Sequence, residues 1–226
     1  MENLDLYSKV EHLLGIEEST KYLHILYSEV LYNYEVKTLL DLGCGKGDLM
    51  KTFEQYGVEC EGIDLSPLMV QKAKANGLKA EHKSICEVDK KYDAIVSVFD
   101  VVNFVSPSEL YDFLACVHKA LNDDGIFVFD INTLHGFQNV AEGTMSAEEE
   151  NMFLNVDAVF EDNELHTSFT LFQKEDNLYK KEQETITQYF HSLQLFKKLK
   201  EFKVVQSAYL DLYDKKDKAL IVLKKA

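Results

Sequence analysis

Three glycines within five positions, Gly43-Cys44-Gly45-Lys46-Gly47, follow the apolar run Thr38-Leu-Leu-Asp-Leu42 and lead into a helical pattern. Glycine lacks a Cβ and takes positive φ readily, so a loop of this kind lets bare backbone approach a ligand closely. Asp41 stands two residues before the first glycine. A carboxylate there repels a pyrophosphate and attracts a cation, so the loop reads as a site for an amine-bearing ligand. Asp64 ends the next apolar stretch, Val58-Glu-Cys-Glu-Gly-Ile-Asp-Leu65. In an open α/β sheet this is the position of an acceptor for ribose hydroxyls, and a carboxylate has two oxygens for a diol; the alternative is an acidic cap on the helix that begins at Ser66-Pro67. Asp100 and Asn103 follow another strand-like run, where polar groups need partners if the strand is buried. His135, in Asn132-Thr-Leu-His-Gly136, has the chemistry of a general base for an amine or hydroxyl, with an ordinary loop histidine as the alternative.

These residues need a frame that brings them to one edge, and the hydrophobic pattern describes one. Residues 19 to 33 carry Leu23, Leu26, Tyr27 and Val30 at helical spacing, and Leu49, Met50, Phe53 and Tyr56 repeat it until Gly57. Ser66-Pro67 opens a further helix that Asn76-Gly77 closes, and Ser106-Pro107 opens another with Leu110, Phe113, Leu114, Val117 and Leu121 inward. Short strands are expected at 78–83, 92–99 and 126–130. This alternation predicts a parallel sheet covered on both faces. Beyond Asn132 the rhythm changes: Asn139 to Glu150 reads as a mobile polar loop. From Met152 onward, alternating residues separated by Glu161-Asp-Asn-Glu164 and Lys174-Glu-Asp-Asn177 predict about three antiparallel strands. A helix near 192–200 and a final hairpin, 204–212 with 219–223, complete the chain.

Composition narrows the function classes. At 226 residues and 46% hydrophobic, the chain can bury one substantial core. It carries 39 acidic residues against 24 basic ones, a formal charge of −15, and every basic residue is lysine. Nucleic acid and anionic membrane surfaces are therefore disfavoured as partners. No stretch resembles a signal peptide or a span of roughly 20 apolar residues. Cys44, Cys60, Cys86 and Cys116 form no Cys-x-x-Cys pair, which reads as reduced thiols in a cytoplasmic protein rather than zinc or a disulfide framework. No spacing resembles a metal site.

The strand, the glycine loop with Asp41, and Asp64 at the end of the following strand together resemble class I S-adenosylmethionine-dependent methyltransferases, from about Thr38 to Asn132 and again in the last strands. The resemblance implies an α/β, Rossmann-like methyltransferase fold: a mostly parallel seven-stranded sheet with an antiparallel last strand, plus a small antiparallel β insertion. It divides the chain into a core, 1–134 and 191–226, and an insertion, 135–190, whose root at the binding edge of the sheet suits a substrate lid, with a passive buttress packed on the core as the alternative. It implies S-adenosyl-L-methionine as cofactor, lying over Gly43, Cys44, Gly45 and Gly47, with its ammonium near Asp41 and its ribose on Asp64. Leu65 and Met69 would pack on the adenine or on the core. Ser84-Ile85 occupies the place where the family commonly has an acid for the adenine amine. Phe99, Asp100 and Asn103 would line the methyl-transfer side, and the Asn/Asp-Pro-Pro-Tyr run of enzymes that methylate nucleobase or glutamine nitrogens is missing there. Tyr7 matches a tyrosine of a Tyr-Asp pair, with Ser8 in place of the aspartate. The activity implied is methyl transfer to a nitrogen, oxygen or carbon of a small molecule by a monomer or homodimer, with His135 and Asp100 as candidate catalytic residues. A non-catalytic cofactor-binding module and a dinucleotide-dependent oxidoreductase are the alternatives.

Overall fold

The computed structural model describes residues 5–226; the first four residues of the N-terminal segment and of the core division above lie outside the described residues. Two helices come first, α1 (Asp5–Val10) and α2 (Glu17–Tyr32). Strands and helices then alternate through β1 (Thr38–Leu42), α3 (Asp48–Gln55), β2 (Glu59–Asp64), α4 (Pro67–Ala75), β3 (Ala80–His82), β4 (Tyr92–Ser97), α5 (Leu110–Lys119) and β5 (Leu121–Asn132). A single turn, α6 (Leu134–Gly136), precedes β6 (Gly143–Glu149), β7 (Met152–Glu161), β8 (Glu164–Glu175) and β9 (Leu178–Tyr189). The chain ends with α7 (Leu193–Phe196), β10 (Phe202–Leu210) and β11 (Lys218–Lys225).

Seven strands form one sheet in the order β10-β11-β5-β4-β1-β2-β3, in which β11 runs antiparallel to both neighbours and the other pairs are parallel. This is the sheet expected from the sequence. Strand side chains alternate between faces. Leu39, Ala94, Val96, Val128 and Leu220 therefore face α2, α3 and α4, while Leu40, Ile95, Phe127, Phe129 and Ile221 face α5 and α7. Helix α4 starts as its sequence requires: the Ser66 hydroxyl accepts from Met69 N–H at 3.2 Å, and Pro67, which has no N–H to lose, takes the first helical position.

Three expectations are corrected. The polar stretch 139–150 is not a mobile loop: Phe137–Ala141 forms a π-type turn, and β6 pairs along its length with β7, giving four strands in the second sheet rather than three. An edge strand with exposed side chains needs no apolar alternation, so the pattern gave no strand signal. The helix near 192–200 is only the single turn α7. Cys86 and Cys116 are disulfide-bonded, Cα atoms 4.9 Å apart, while Cys44 and Cys60 are free and buried. The two half-cystines are 30 residues apart in sequence and meet because the turn at 85–87 and α5 pack on the same face of the sheet.

The second sheet is joined to the first through α1. Leu6 and Val10 share a core with Leu154, Val156, Phe169, Leu171 and Ile186. The Leu6 amide donates to Glu184 Oε2 at 2.8 Å, and Lys9 pairs with Glu182 at 2.7 Å. On its other side α1 meets α4: Ser8 Oγ donates to Ser66 Oγ, and Lys72 Nζ donates to the Ser8 carbonyl. No described helix is long and apolar enough to cross a membrane.

Candidate functional site

On the α2–α3 face of the main sheet, the apolar rows end at the carboxyl edge in polar residues. Asp41 continues the row of Leu39, Asp130 and Asn132 continue that of Ile126 and Val128, and Lys218 continues that of Leu220 and Val222. Lys218 reaches this edge because β11 is antiparallel, so its first residue lies opposite Asn132 at the end of β5. Open α/β sheets bind ligands at this edge.

Asp41 is 3% exposed. No hydrogen bond or ion pair to its carboxylate occurs among the described residues. Burial, and then the charge of Asp64, push its pKa up to about 7. Asp64 lies at the end of the adjacent strand, its Oδ2 accepting from Gly45 N–H and its Oδ1 from Ser66 N–H, both at 2.8 Å. Burial raises its pKa against the lowering effect of these amides. Asp64 thus pins the glycine loop to the start of α4 and keeps lone pairs for further donors.

The loop turns on positive φ at Gly43, Gly45 and Gly47. At Gly47 a Cβ would come 2.2 Å from Leu78 Cδ1, whereas around Gly45 the space is open. The Cys44 side chain packs inward beside Gly62 and Met50, leaving its backbone to form the loop surface.

Beyond β4 the chain makes a strained turn. Phe99 and Asp100 both have positive φ, 66° and 55°, a region bulky side chains rarely occupy. Their amides donate to the two oxygens of fully buried Asp130, at 2.7 and 2.9 Å, and Tyr27 Oη donates to the first of these oxygens at 2.7 Å. The Asp100 carboxylate accepts from Lys218 Nζ (2.5 Å), Asn132 Nδ2 (2.9 Å) and Gln188 Nε2 (2.7 Å). Burial depresses the Lys218 ammonium's pKa, but Asp100 and Asp130 outweigh it and the net shift is upward. Lys218 Nζ also lies 5.1 Å from the Phe99 ring centroid. The Asn103 side chain donates to the Tyr189 carbonyl and accepts from Asn132 N–H.

The remaining candidates fall around this edge in different ways. Tyr7 is half-buried, its ring edge-on to Phe169. Its hydroxyl is held above the usual range by burial first, then by the charges of Asp100, Glu11, Tyr213 and Asp64. Leu65 is partly exposed and Met69 is buried in α4. Ser84 donates through both N and Oγ to Glu87 Oε2, and Ile85 is buried in the core facing α5. His135 is exposed on α6, its Nε2 2.8 Å from Asp214 Oδ2 and its Nδ1 3.1 Å from Asn139 Nδ2. Asn139 Nδ2 can only donate, so His135 Nδ1 accepts and Nε2 carries the hydrogen toward Asp214. That contact holds Asp214 below the usual carboxylate range.

Sequence reasoning did not single out Asp130, Lys218, Gln188, Tyr213 or Asp214. For Asp130 a signal existed, since a charged residue closes the apolar run Ile126-Phe-Val-Phe129. Lys218 likewise precedes Ala219-Leu-Ile-Val-Leu223. Gln188 lies in a polar strand and Asp214 in a polar loop, where nothing marks them.

Residues 39–125 match a family model described as a methyltransferase domain. A putative methyltransferase of Bacillus subtilis, YqeM, is 29% identical over 104 residues, 42% of each chain, so the match spans less than half of that relative. An S-adenosylmethionine-dependent methyltransferase structure from Clostridium acetobutylicum superposes with a TM-score of 0.81 at 20% identity, covering 98% of this chain and 99% of that one. The structure of CalS10 with bound S-adenosylmethionine, an amino pentose methyltransferase from Micromonospora echinaspora, superposes with a TM-score of 0.74 at 16% identity over 98% of this chain and 97% of that one. The seven-stranded sheet and the glycine loop define a Rossmann-like methyltransferase fold. Over residues 39–125 the chain is similar to the methyltransferase-domain family, and its fold is that of the S-adenosylmethionine-dependent methyltransferases. The site fits the cofactor of these methyltransferases: a buried carboxylate without a partner among the described residues, beside a glycine loop with open space at Gly45, suits a ligand bearing an ammonium and a sulfonium.

Proposed function

We propose that this protein transfers a methyl group from S-adenosylmethionine to a nitrogen, oxygen or carbon nucleophile of a small molecule. The observation that carries the reading is Asp41, a buried carboxylate with no partner among the described residues, at the root of the glycine loop. A dinucleotide pyrophosphate would meet this charge and that of Asp64 as repulsion; a cationic ligand relieves both. When bound, the cofactor supplies a methyl group already attached to a good leaving group.

The chain's own residues then have to bind, align and exclude water. Asp41 takes the ammonium, the 43–47 backbone cradles the amino-acid portion, Asp64 takes the ribose hydroxyls, and Leu65, Met69 and the 84–85 backbone border the adenine. Phe99 and the strained turn face the acceptor side, with Tyr7 over it. Alignment of two reactants can contribute about 7–11 kcal/mol of barrier lowering. The second sheet, rooted at the carboxyl edge of β5, roofs the acceptor side; its apolar stripe packs on α1 through Leu154, Val156, Phe169 and Leu171 and on Phe137 through Ala158 and Leu165. For an acceptor that must lose a proton, His135 is the proposed base, with Asp214 fixing its tautomer and Asn139 displaced from Nδ1. The likeness to an amino pentose methyltransferase makes small amines the first acceptors to test.

The test is a thermal-shift comparison followed by labelling. S-adenosylmethionine and S-adenosylhomocysteine should raise the melting temperature while NADH and NADPH do not. Incubation with methyl-labelled donor and a metabolite extract should then yield a labelled small molecule. Stabilisation by the nicotinamides alone rejects the reading, and cofactor binding without consumption assigns the protein to the non-catalytic class.

A further inference from the structure

The polar groups around the turn at Phe99–Asp100 come from parts of the chain far apart in sequence. Asp130 and Asn132 belong to β5, Lys218 to β11, Tyr27 to α2, and Gln188 and Tyr189 to the second sheet. The turn needs them. Two successive non-glycine residues at positive φ persist only when the surroundings over-determine them. Asp130 does so through both amides.

Asp100 carries the second half of the arrangement. Three donors from three elements converge on its carboxylate, and its side chain is 10% exposed. A carboxylate held in this way is engaged by the protein's own donors, and turning it toward a substrate would leave the Lys218 ammonium buried beside Asp130 with a weaker set of partners. Gln188, on β9, is buried and spends its amide on Asp100, while the neighbouring Tyr189 carbonyl accepts from Asn103 at the far end of the same turn. The second sheet thus grips the turn at both ends.

We propose that Asp100 is a positioning residue rather than an acid or base, and that the chain Lys218–Asp100–Gln188 makes the shape of the cofactor-facing turn conditional on the docking of β9. A displaced second sheet would release Gln188 and Tyr189, leave Asp100 short of a donor, and let the turn relax from positive φ. Reshaping of the turn by the state of the second sheet rests on the geometry alone. Its consequence for the cofactor rests on the function proposed above, and the experiment separates the two.

Gln188→Met keeps the volume of the side chain and removes the donor. Amide hydrogen exchange and proton chemical shifts at Phe99 and Asp100 would be followed by NMR in the wild type and the variant, together with S-adenosylhomocysteine affinity by calorimetry. The expected result is at least tenfold faster exchange at both amides, upfield movement of both resonances as the bonds to Asp130 lengthen, and roughly three- to tenfold weaker binding, with a melting temperature close to that of the wild type. Unchanged exchange and shifts at these two amides overturn the proposal whatever the ligand does. Should the wild type not bind S-adenosylhomocysteine, the function reading fails, and the exchange data still decide the mechanical one. Asp100→Asn gives the second arm if Gln188→Met does not fold: it retains the shape but sets an amide donor against Asn132 or Lys218, and the same exchange signature is expected. Wild-type exchange at Phe99 and Asp100 in Asp100→Asn, with unaltered affinity and turnover abolished, would instead make Asp100 a catalytic acid or base.

Discussion

Replacing Asp41 with asparagine tests the site at its least satisfied atom. Burial pushes the Asp41 carboxyl up to about 7 from 3.8, with Asp64 adding to the effect. A ligand whose ammonium pairs with Asp41 selects the ionised form, so the apparent dissociation constant is multiplied by 1 + 10^(pKa − pH). With a pKa of about 7 that factor is about 1.1 at pH 8, about 2 at pH 7 and about 100 at pH 5, a loss of on the order of 2.7 kcal/mol across the range. S-adenosylhomocysteine affinity measured by calorimetry should fall accordingly as the pH drops, and binding near pH 7 should release a fraction of a proton, visible as a dependence of the heat on buffer ionisation. Asp41→Asn should flatten the profile and weaken binding at pH 8 by about 1.5–3 kcal/mol, the scale of a hydrogen bond to a charged group. Stability without ligand should move the other way. The folded-state pKa lies above the unfolded one, so the native state holds this proton more tightly. That preference is fully present below about pH 4 and is lost as the pH rises to about 7, amounting to on the order of 4 kcal/mol. Asp41→Asn should therefore stabilise the free protein at pH 8 and leave it unchanged near pH 4. A pH-independent affinity in the wild type, or a variant no more stable at pH 8, refutes the reasoning.

Asp64→Ala should weaken S-adenosylhomocysteine binding by about 1.5–3 kcal/mol in calorimetry while the protein stays folded; unchanged affinity would assign Asp64 solely to tying Gly45 to Ser66. Reducing the Cys86–Cys116 bond, or replacing both cysteines by serine, should lower stability in urea by about 3–4 kcal/mol, the loop-closure value for half-cystines 30 residues apart; identical midpoints with and without reductant would show that the bond contributes nothing. Phe169→Ala, in the core shared by α1 and the second sheet, should destabilise by about 3–5 kcal/mol in the same assay and speed amide exchange in α1. Exchange confined to the second sheet would show that α1 does not depend on that core.

The amino-acid sequence by itself determined the main sheet and half of its edge. Glycines at 43, 45 and 47 after an apolar run, Ser66-Pro67 at a helix start and period-2 alternation in the later strands are local signals, each acting within a few residues, so they are legible without coordinates. Asp41 and Asp64 belong to this class because each lies beside a local landmark. What only the tertiary structure decided is non-local. Lys218 meets Asp100 across 118 residues because β11 enters the sheet antiparallel between β5 and β10, which brings its first residue to the edge where the parallel strands end. Gln188 reaches the same carboxylate from a strand whose polar composition advertised nothing, and Cys86 finds Cys116 because two crossovers lie on one face. In each case the partner is set by chain topology, which hydrophobic burial selects globally. No window of sequence contains both ends of such a contact.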